Sequence, residues 1–343
     1  MKNAISGPSL TRRALIASGA TALAMPALLT GSRAASKFVC KIAHTEGIGT
    51  PITNAFEAWK NALNSKSGGR IDAQHFPAAQ LGGLAELLEG NRIGTIQVTT
   101  AGPDSEEAIA PEIAAFGGAP GFIYKSEKHV DAVLQGPLGR QCSDIARAKT
   151  GVEFVDYGEV GFRHILTKKP IGSLADLKGV KIRVPQLRIW VDFWTLLGAA
   201  PTPLPYSEQY SALSTGIIDA IDSDVFSVVG FKFHEQAKYL TLTGHWFLPK
   251  AVRVNAAWLD KLPEDLREIV RSTAKEAFAE QRKVNRAKAA ETLEQLKTLG
   301  VKVTELPAAE LAKMEQTTSS LYDEFGKKSP ETAKMIAAIR AAA

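Results

Sequence analysis

Hydrophobic and polar positions alternate along short stretches of the chain, and these stretches are separated by longer ones with helical spacing. The pattern in the first hundred residues predicts strands at residues 38–43, 70–76 and 95–99 and helices at residues 51–63 and 84–91. Strands and helices follow one another in this order when a parallel sheet is covered by helices on its faces. The first part of the chain is therefore expected to have an α/β fold.

The same alternation continues through the middle of the chain. It predicts strands at residues 152–157, 162–167, 180–184, 239–243 and 251–255 and helices at residues 126–134, 137–149, 190–197, 207–215 and 224–229. In the strand at 180–184, alternate apolar residues share one face, so Arg183 lies on the other face. Pro185 ends this strand before a helix. Arg183 is thus expected at a strand-to-helix junction, where open α/β sheets bind ligands.

The longest predicted element is a helix of 36 residues at 264–299. Pro263 suits its first turn, acidic residues follow, and Gly300 suits the position after its end. At ~1.5 Å per residue it spans roughly 54 Å, which exceeds the diameter of one small domain. The helix either projects into solvent, breaks near Asn285 or braces more than one lobe. The tail, residues 301–343, is expected to add a short strand and one or two helices.

Length and charge exclude some classes of protein. A chain of 343 residues with 45% hydrophobic and 22% charged residues suits two lobes, or one large domain, with a buried core. The formal net charge is +5, but residues 1–34 hold four basic residues and no acidic one, so the chain from Ala35 onward carries only +1. That charge is no footprint of a nucleic-acid-binding protein.

Residues 1–34 have the features of a signal peptide. Arg12 and Arg13 precede an apolar run at 14–29, and residues 32–34 offer the small side chains of a cleavage site. The paired arginines favour a twin-arginine signal over an ordinary general-secretion signal. The run is too short and too rich in alanine for a good membrane anchor. The mature chain is therefore expected in the periplasm.

Cysteines, histidines and short motifs give little support to catalysis. Cys40 and Cys142 are far apart, and two buried free thiols are expected. The six histidines are scattered singly, so no metal and no cofactor is expected. Three short echoes of serine β-lactamase motifs, at 272–275, 223–224 and 149–151, stand in reversed order along the chain, and the one at 223–224 lacks its asparagine. The alternative from another class of function is a secreted enzyme that acts on a small acid.

Residues 161–222 carry a recognisable order of motifs. They read Gly-Phe-Arg at 161–163, Asp-Leu-Lys-Gly-Val-Lys-Ile-Arg-Val-Pro at 176–185, Leu-Gly-Ala-Ala-Pro-Thr-Pro at 197–203 and Ser-Glu-Gln-Tyr-Ser-Ala-Leu-Ser-Thr-Gly-Ile-Ile-Asp at 207–219. This order resembles the extracytoplasmic solute receptors of TRAP transporters, which are periplasmic binding proteins for organic acids. The resemblance covers most of residues 38–305.

The resemblance implies a two-lobed periplasmic binding protein fold, with two mixed sheets flanked by helices and a long helix bridging both lobes. Lobe I would comprise residues 35–158 plus 245–280, and lobe II residues 159–244 plus 281–343. The chain would cross between these lobes twice, which is the topology of a hinged clamp. The implied function is to capture a small organic acid, mono- or dicarboxylate, and to deliver it to the membrane permease. A monomeric receptor is expected, and a receptor used for sensing is the alternative.

The resemblance also implies the residues of the site. Arg183 matches the arginine that holds the ligand carboxylate, and Arg163 matches one that often assists. A guanidinium suits this role because its planar fork donates two parallel, charge-assisted hydrogen bonds. His44 and Tyr206 match positions beside the cleft. Their alternatives are a capping histidine and a core aromatic residue.

Asp222 and Ser223 mark a departure from the family pattern. Many relatives end the motif Asp-Gly-x-Glu-Asn here with an asparagine that completes carboxylate recognition, whereas Ser223 reaches less far. C4-dicarboxylates, sugar acids, 2-oxo acids and aromatic acids therefore all stay open as ligands. Arg188 either meets a second carboxylate or faces solvent, and solvent is the favoured interpretation.

Overall fold

One mixed β-sheet of nine strands forms the frame of the protein, whose structure is a computed structural model that describes residues 37–342. The strands are β1 (Phe38–Ala43), β2 (Ile71–Phe76), β3 (Val98–Ala101), β4 (Val152–Thr167), β5 (Lys181–Val184), β6 (Ala200–Pro203), β7 (Ala220–Ser223), β8 (Tyr239–Asn255) and β9 (Lys302–Glu305). Their order across the sheet is β2-β1-β3-β8-β4-β7-β5-β6, and β9 pairs with β8.

Thirteen α-helices lie within the described residues and cover this sheet. They are α1 (Pro51–Lys66), α2 (Leu84–Ile93), α3 (Pro111–Ala114), α4 (Glu127–Leu134), α5 (Pro137–Thr150), α6 (Arg188–Leu196), α7 (Gln209–Thr215), α8 (Val225–Gly230), α9 (Ala256–Lys261), α10 (Glu264–Thr298), α11 (Ala308–Thr318), α12 (Ser320–Gly326) and α13 (Pro330–Ala341). The α/β class expected from the alternation is confirmed. The tail has three helices rather than one or two.

The expectation of two separate sheets needs correction. Strands β4 and β8 have 16 and 17 residues, and they pair antiparallel along their whole length, where the sequence predicts four shorter strands. The predicted break in β4 falls on a register shift between Glu159 and Phe162. A bulge adds a residue and bends a strand without ending its ladder. Gly161, with a φ of 90°, supplies the backbone freedom that this bulge requires. One sheet therefore continues through the whole molecule.

Helix α10 is continuous over 35 residues, and it neither projects freely nor breaks at Asn285. Phe278, near its middle, packs edge-on against Phe56 of α1 at 4.8 Å between ring centroids. The Gln281 side chain donates to the carbonyl of Glu159 at 2.7 Å and accepts from its N–H at 3.0 Å, beside the bulge in β4. Leu296, near the end, is fully buried in a second apolar cluster. The helix therefore braces successive parts of the sheet.

Apolar side chains form two main clusters along this brace. The larger one surrounds β1, α1 and the first half of α10 and continues to Trp190 and Trp246, whose rings stack at 3.8 Å. The smaller one joins Leu213 of α7, Ile221 of β7 and Leu240 of β8. Burial of such side chains is the main favourable term in folding. The larger cluster extends along the middle of β4 and β8, where it includes Val160 and Phe247, whereas the smaller one lies at the end of these strands that holds Leu166 and Leu240.

Two further expectations concern the cysteines and the leader. Cys40 and Cys142 are both buried and both free thiols. The predicted signal peptide, residues 1–34, lies outside the described residues. Among residues 37–342, the helices are all too short or too polar to cross a membrane.

Candidate functional site

A cavity of about 400 Å³ lies where two sets of parallel strands end. Strands β1 and β3 are parallel to each other, as are β5 and β7, but the antiparallel pair β8 and β4 stands between the two sets and reverses their direction. Residues that directly follow these strands line the cavity, among them Gly102 after β3, Pro185 after β5 and Asp224 after β7. Ligands of open α/β sheets bind at such carboxyl ends.

Arg183 enters the cavity from β5 and is only 5% exposed. Its Nε and Nη2 atoms donate to the carbonyl of Leu204 at 2.9 and 2.8 Å, and its guanidinium lies 5.4 Å from the centre of the Tyr206 ring. Burial lowers the pKa of Arg183 to about 10, so the group stays protonated at neutral pH. No acidic side chain of residues 37–342 forms a salt bridge with it. Arg183 is therefore a buried cation without an anionic partner.

Arg163 also lines the cavity, but its charge is compensated. Its Nε donates to Asp222, whose other carboxylate oxygen lies 3.1 Å from Nε2 of the buried His245. Although burial alone would raise it, the charge of Arg163 holds the pKa of Asp222 below its ordinary value. The Arg163 guanidinium also lies over the Trp190 ring, 5.2 Å from its centre. Asp222 and Trp190 thus fix the orientation of Arg163.

The remaining residues predicted for the site divide into two groups. Tyr206 lines the cavity with both arginines, whereas His44, Asp222 and Ser223 are buried behind its walls. Nδ1 of His44 accepts the N–H of Glu46 at 3.2 Å, and Glu46 does line the cavity. Both residues are buried at the end of β7. Asp222 contacts the lining residue Arg163, and Ser223 donates to the carbonyl of the lining residue Asp224 at 3.4 Å.

Arg188 lies away from the cavity. Its side chain is 78% exposed and pairs with Asp192 at 2.8 Å, one turn along α6. The favoured interpretation, that Arg188 faces solvent, is confirmed.

Several acidic side chains of the cavity have no counterpart in the sequence interpretation. The cavity wall includes five carboxylates, Glu46, Glu86, Asp104, Glu208 and Asp224. Glu46 pairs with Lys250 at 2.7 Å. The position of Asp224 is marked in the local sequence, because an aspartate at this place caps a helix: it caps α8 and accepts the N–H of Ser227 at 2.8 Å. No local sequence pattern marks Asp104 and Lys250, since the two residues come from distant parts of the chain.

Asp104 has an unusual protonation equilibrium. Burial raises its pKa from 3.8 to about 6, although a 2.7 Å hydrogen bond from Nε1 of Trp190 opposes the shift. Compared with the unfolded chain, the folded protein therefore favours the protonated form of the Asp104 carboxyl group. Its contribution to stability is fully present below the unfolded pKa of 3.8 and is lost as the pH rises through about 6.

Replacing Asp104 by asparagine is expected to remove this pH dependence. Asparagine stays neutral and keeps an oxygen for the Trp190 hydrogen bond, so the stability of the variant relative to the parent should rise by roughly 2 kcal/mol from pH 4 to pH 8. Urea denaturation at both pH values measures the difference. The same change at Asp144, which is exposed on α5, is the matched control. A difference that is equal at both pH values would contradict the assignment.

The geometry combines a cation that lacks an anion with a wall rich in hydrogen-bond acceptors. Residues 37–342 contain no cluster of three or more His, Cys, Asp or Glu side chains that could hold a metal ion. The fold and the cavity are those of a protein that binds a small solute at the carboxyl ends of its strands.

Comparison with known proteins identifies the family. Residues 42–329 match the bacterial extracellular solute-binding proteins of family 7, DctP. The chain therefore belongs to the DctP family of TRAP extracytoplasmic solute receptors, and it is a solute-binding protein rather than an enzyme. The resemblance drawn from residues 161–222 is confirmed.

Individual relatives cover nearly the whole chain. It is 28% identical over 344 residues to the C4-dicarboxylate-binding periplasmic protein DctP of Rhodobacter capsulatus, covering 97% of this chain and 99% of that protein. It is 28% identical over 287 residues to the 2,3-diketo-L-gulonate-binding periplasmic protein YiaO of Escherichia coli, covering 83% and 86%. A longer uncharacterized protein of Sinorhizobium fredii is 31% identical over 307 residues, but the match spans only 56% of its length.

Solved structures share the fold. The sugar acid binding protein DctPAm of Advenella mimigardefordensis, in complex with galactonate, superimposes with a TM-score of 0.84 at 26% identity, covering 90% of this chain and 99% of that one. A TRAP periplasmic solute-binding protein of Xanthobacter autotrophicus with bound β-D-galacturonate gives 0.83 at 27% identity, covering 89% and 100%. These proteins bind acids that carry one carboxylate and several hydroxyl groups.

Proposed function

We propose that this protein captures a small organic acid in the periplasm by pairing one ligand carboxylate with Arg183, and that it delivers the acid to a TRAP membrane permease. The guanidinium of Arg183, which is buried and has no acidic partner among residues 37–342, carries the proposal. Burying a charge without a partner is costly, and a carboxylate that docks on it regains Coulomb energy and hydrogen bonds in a site with little water. An anion is therefore the ligand that this position favours.

The energy available at Arg183 suits a receptor of useful affinity. Hydrogen bonds to charged groups contribute about 1.5 to 3 kcal/mol each, and a micromolar dissociation constant corresponds to about 8 kcal/mol. Two such bonds from Arg183 supply a large share of that free energy. Arg163, held by Asp222 and stacked on Trp190, assists with its remaining N–H groups. Tyr206 packs on Arg183 and keeps its guanidinium in place.

The carboxylates of the cavity favour a sugar acid as the ligand class. A second carboxylate on the ligand would meet Glu46, Asp104 and Asp224, and like charges repel at short range. Ligand hydroxyl groups would instead donate hydrogen bonds to those side chains. A polyhydroxylated monocarboxylate thus satisfies both ends of the cavity. The relatives with galactonate and galacturonate bound support this class.

Lobe closure would convert binding into a signal for the permease. The two lobes, residues 35–158 plus 245–280 and residues 159–244 plus 281–343, would rotate about the middle of β4 and β8. The bulges in β4 and the left-handed Gly244 of β8 lie at this point. Residues that absorb backbone rotation are typical of hinges. The receptor would act as a monomer, exported by the twin-arginine signal of residues 1–34.

Isothermal titration of the mature chain with galactonate, galacturonate and succinate tests the ligand class. Micromolar binding of a sugar acid with little response to succinate is expected. Binding of succinate alone would replace the sugar acid by a C4-dicarboxylate and retain the anchor. Failure of every acid in a wider panel of mono- and dicarboxylates would overturn the proposed function.

A further inference from the structure

A second cavity, of about 440 Å³, lies on the opposite side of β4. Adjacent residues of this strand face the two cavities: Arg163 lines the first cavity and His164 the second. Asp224 and Val225 divide in the same way at the start of α8. The rear cavity, as we call it, is closed on its far side by α10, through Asn285 and neighbouring residues. The two cavities share Val160 and are otherwise lined by different residues.

Asn285 is a polar side chain without a hydrogen-bond partner within residues 37–342. It is 3% exposed, and its amide lines the rear cavity. Gly161 lies beside it, where a Cβ atom would come within 3.5 Å of the amide nitrogen. Buried amides nearly always form hydrogen bonds, because an unmade one costs about 1 to 3 kcal/mol. The amide of Asn285 is therefore available to a molecule in the cavity.

His164 offers a second polar group. Its Nδ1 atom accepts the backbone N–H groups of Thr243 and Gly244, each at 3.2 Å. The ring is therefore neutral with its proton on Nε2, and burial lowers the pKa of His164 to about 3, which keeps it neutral at physiological pH. In the described part of the chain, Nε2 has no acceptor. This N–H is a fixed donor in the wall of the rear cavity.

The rest of the lining is largely apolar, with Phe162, Phe226 and Leu293 contributing apolar surface. The two cations of the lining are already paired, Lys125 with Glu315 and Arg286 with Asp131 and Glu159. Pockets that bind small molecules are mostly apolar, with a few fixed polar groups that orient the ligand. The rear cavity has this composition. Its two fixed N–H donors, on His164 and Asn285, favour a ligand with a hydrogen-bond acceptor.

We propose that the rear cavity is a second binding site, which takes a small molecule with an apolar body and a hydrogen-bond acceptor, such as an aromatic monocarboxylate. The carboxylate accepts from Nε2 of His164 and from the Asn285 amide, while the apolar body lies against Phe162, Phe226 and Leu293. This ligand differs in kind from a sugar acid, because the rear cavity offers apolar surface where the first cavity offers carboxylates.

Binding of benzoate to the mature chain tests the second site, measured by saturation-transfer NMR and isothermal titration. The measurement is made in an Arg183→Ala background, so that the first cavity does not contribute and the result does not depend on the proposed function. Benzoate is expected to bind this variant, in which only the rear cavity is available to it. Asn285→Leu, which removes the amide at similar size, is expected to weaken binding at least tenfold.

A second variant guards against a folding defect in Asn285→Leu. Ala289→Trp fills the rear cavity from α10, and it should abolish benzoate binding. Ala290→Trp adds the same ring at the next, exposed position of the helix, and it should leave binding unchanged. The proposal is overturned if benzoate fails to bind the Arg183→Ala protein. It is equally overturned if Ala289→Trp binds benzoate as tightly as Ala290→Trp.

Discussion

Replacing Arg183 by alanine is expected to weaken binding of the acid ligand at least a hundredfold. The change removes two charge-assisted hydrogen bonds of about 1.5 to 3 kcal/mol each, and every 1.4 kcal/mol corresponds to about a tenfold change in affinity. Isothermal titration of the mature chain with the acid that binds most tightly measures the loss. Arg183→Lys keeps the charge without the planar fork, so its affinity should fall between those of the parent and the alanine variant.

The same variant separates a binding role from a structural one. A residue that serves the fold loses stability on truncation, whereas Arg183 is a buried cation without an acidic partner among residues 37–342, and its removal relieves an uncompensated charge. Relief of this charge offsets the loss of the two hydrogen bonds to the Leu204 carbonyl, so the melting temperature of the unliganded protein should change little. Arg188→Ala, at an exposed arginine paired with Asp192, is the matched control and should change neither quantity. Unchanged ligand affinity in Arg183→Ala would remove the anchor from the proposed function.

Local patterns predict the elements of this fold better than they predict its sheet. Strand β1 is found at the predicted residues, and α10 ends one residue before its predicted end. Both have complete local signals, in alternation for the strand and in terminal residues for the helix. The continuity of β4 and β8 has no local signal. A glycine such as Gly161 fits a turn and a bulge equally well, and only pairing with the partner strand decides between them.

The residues of the site likewise fall into those that local patterns predict and those that they do not predict. Arg183 is predictable, because strand alternation and Pro185 place it at a junction and the motif adds its role. The partners of Asp222 are not predictable from its own strand, because Arg163 and His245 come from β4 and β8. Asp104 and Lys250 come from elements about 150 residues apart in the sequence. A cavity wall assembled from such distant segments leaves no spacing for a pattern to detect.

Glu106 shows how much the stability of the protein depends on contacts of this kind. Its side chain is fully buried and pairs with Arg253, which is also fully buried, and with Nη2 of Arg92 at 2.7 Å. Although burial alone would raise it, the charge of Arg253 holds the pKa of Glu106 below its ordinary value of 4.5. The turn that carries Glu106 also carries Asp104 into the first cavity. This ion cluster therefore supports a wall of the candidate site.

Replacing Glu106 by glutamine is expected to destabilise the protein by about 3 to 5 kcal/mol, because it leaves the buried charge of Arg253 without a carboxylate. Urea denaturation at pH 7 measures the loss. The lowered pKa gives the sign of the pH dependence: the contribution is present above about pH 4.5 and is lost as the pH falls through the folded pKa, so the two proteins should converge in acid. Glu264→Gln, at an exposed pair with Arg267, should cost under about 1 kcal/mol. A loss at Glu106 no larger than this control would mean that Arg253 is stabilised by other groups, and the cavity wall would then rest on packing rather than on charge.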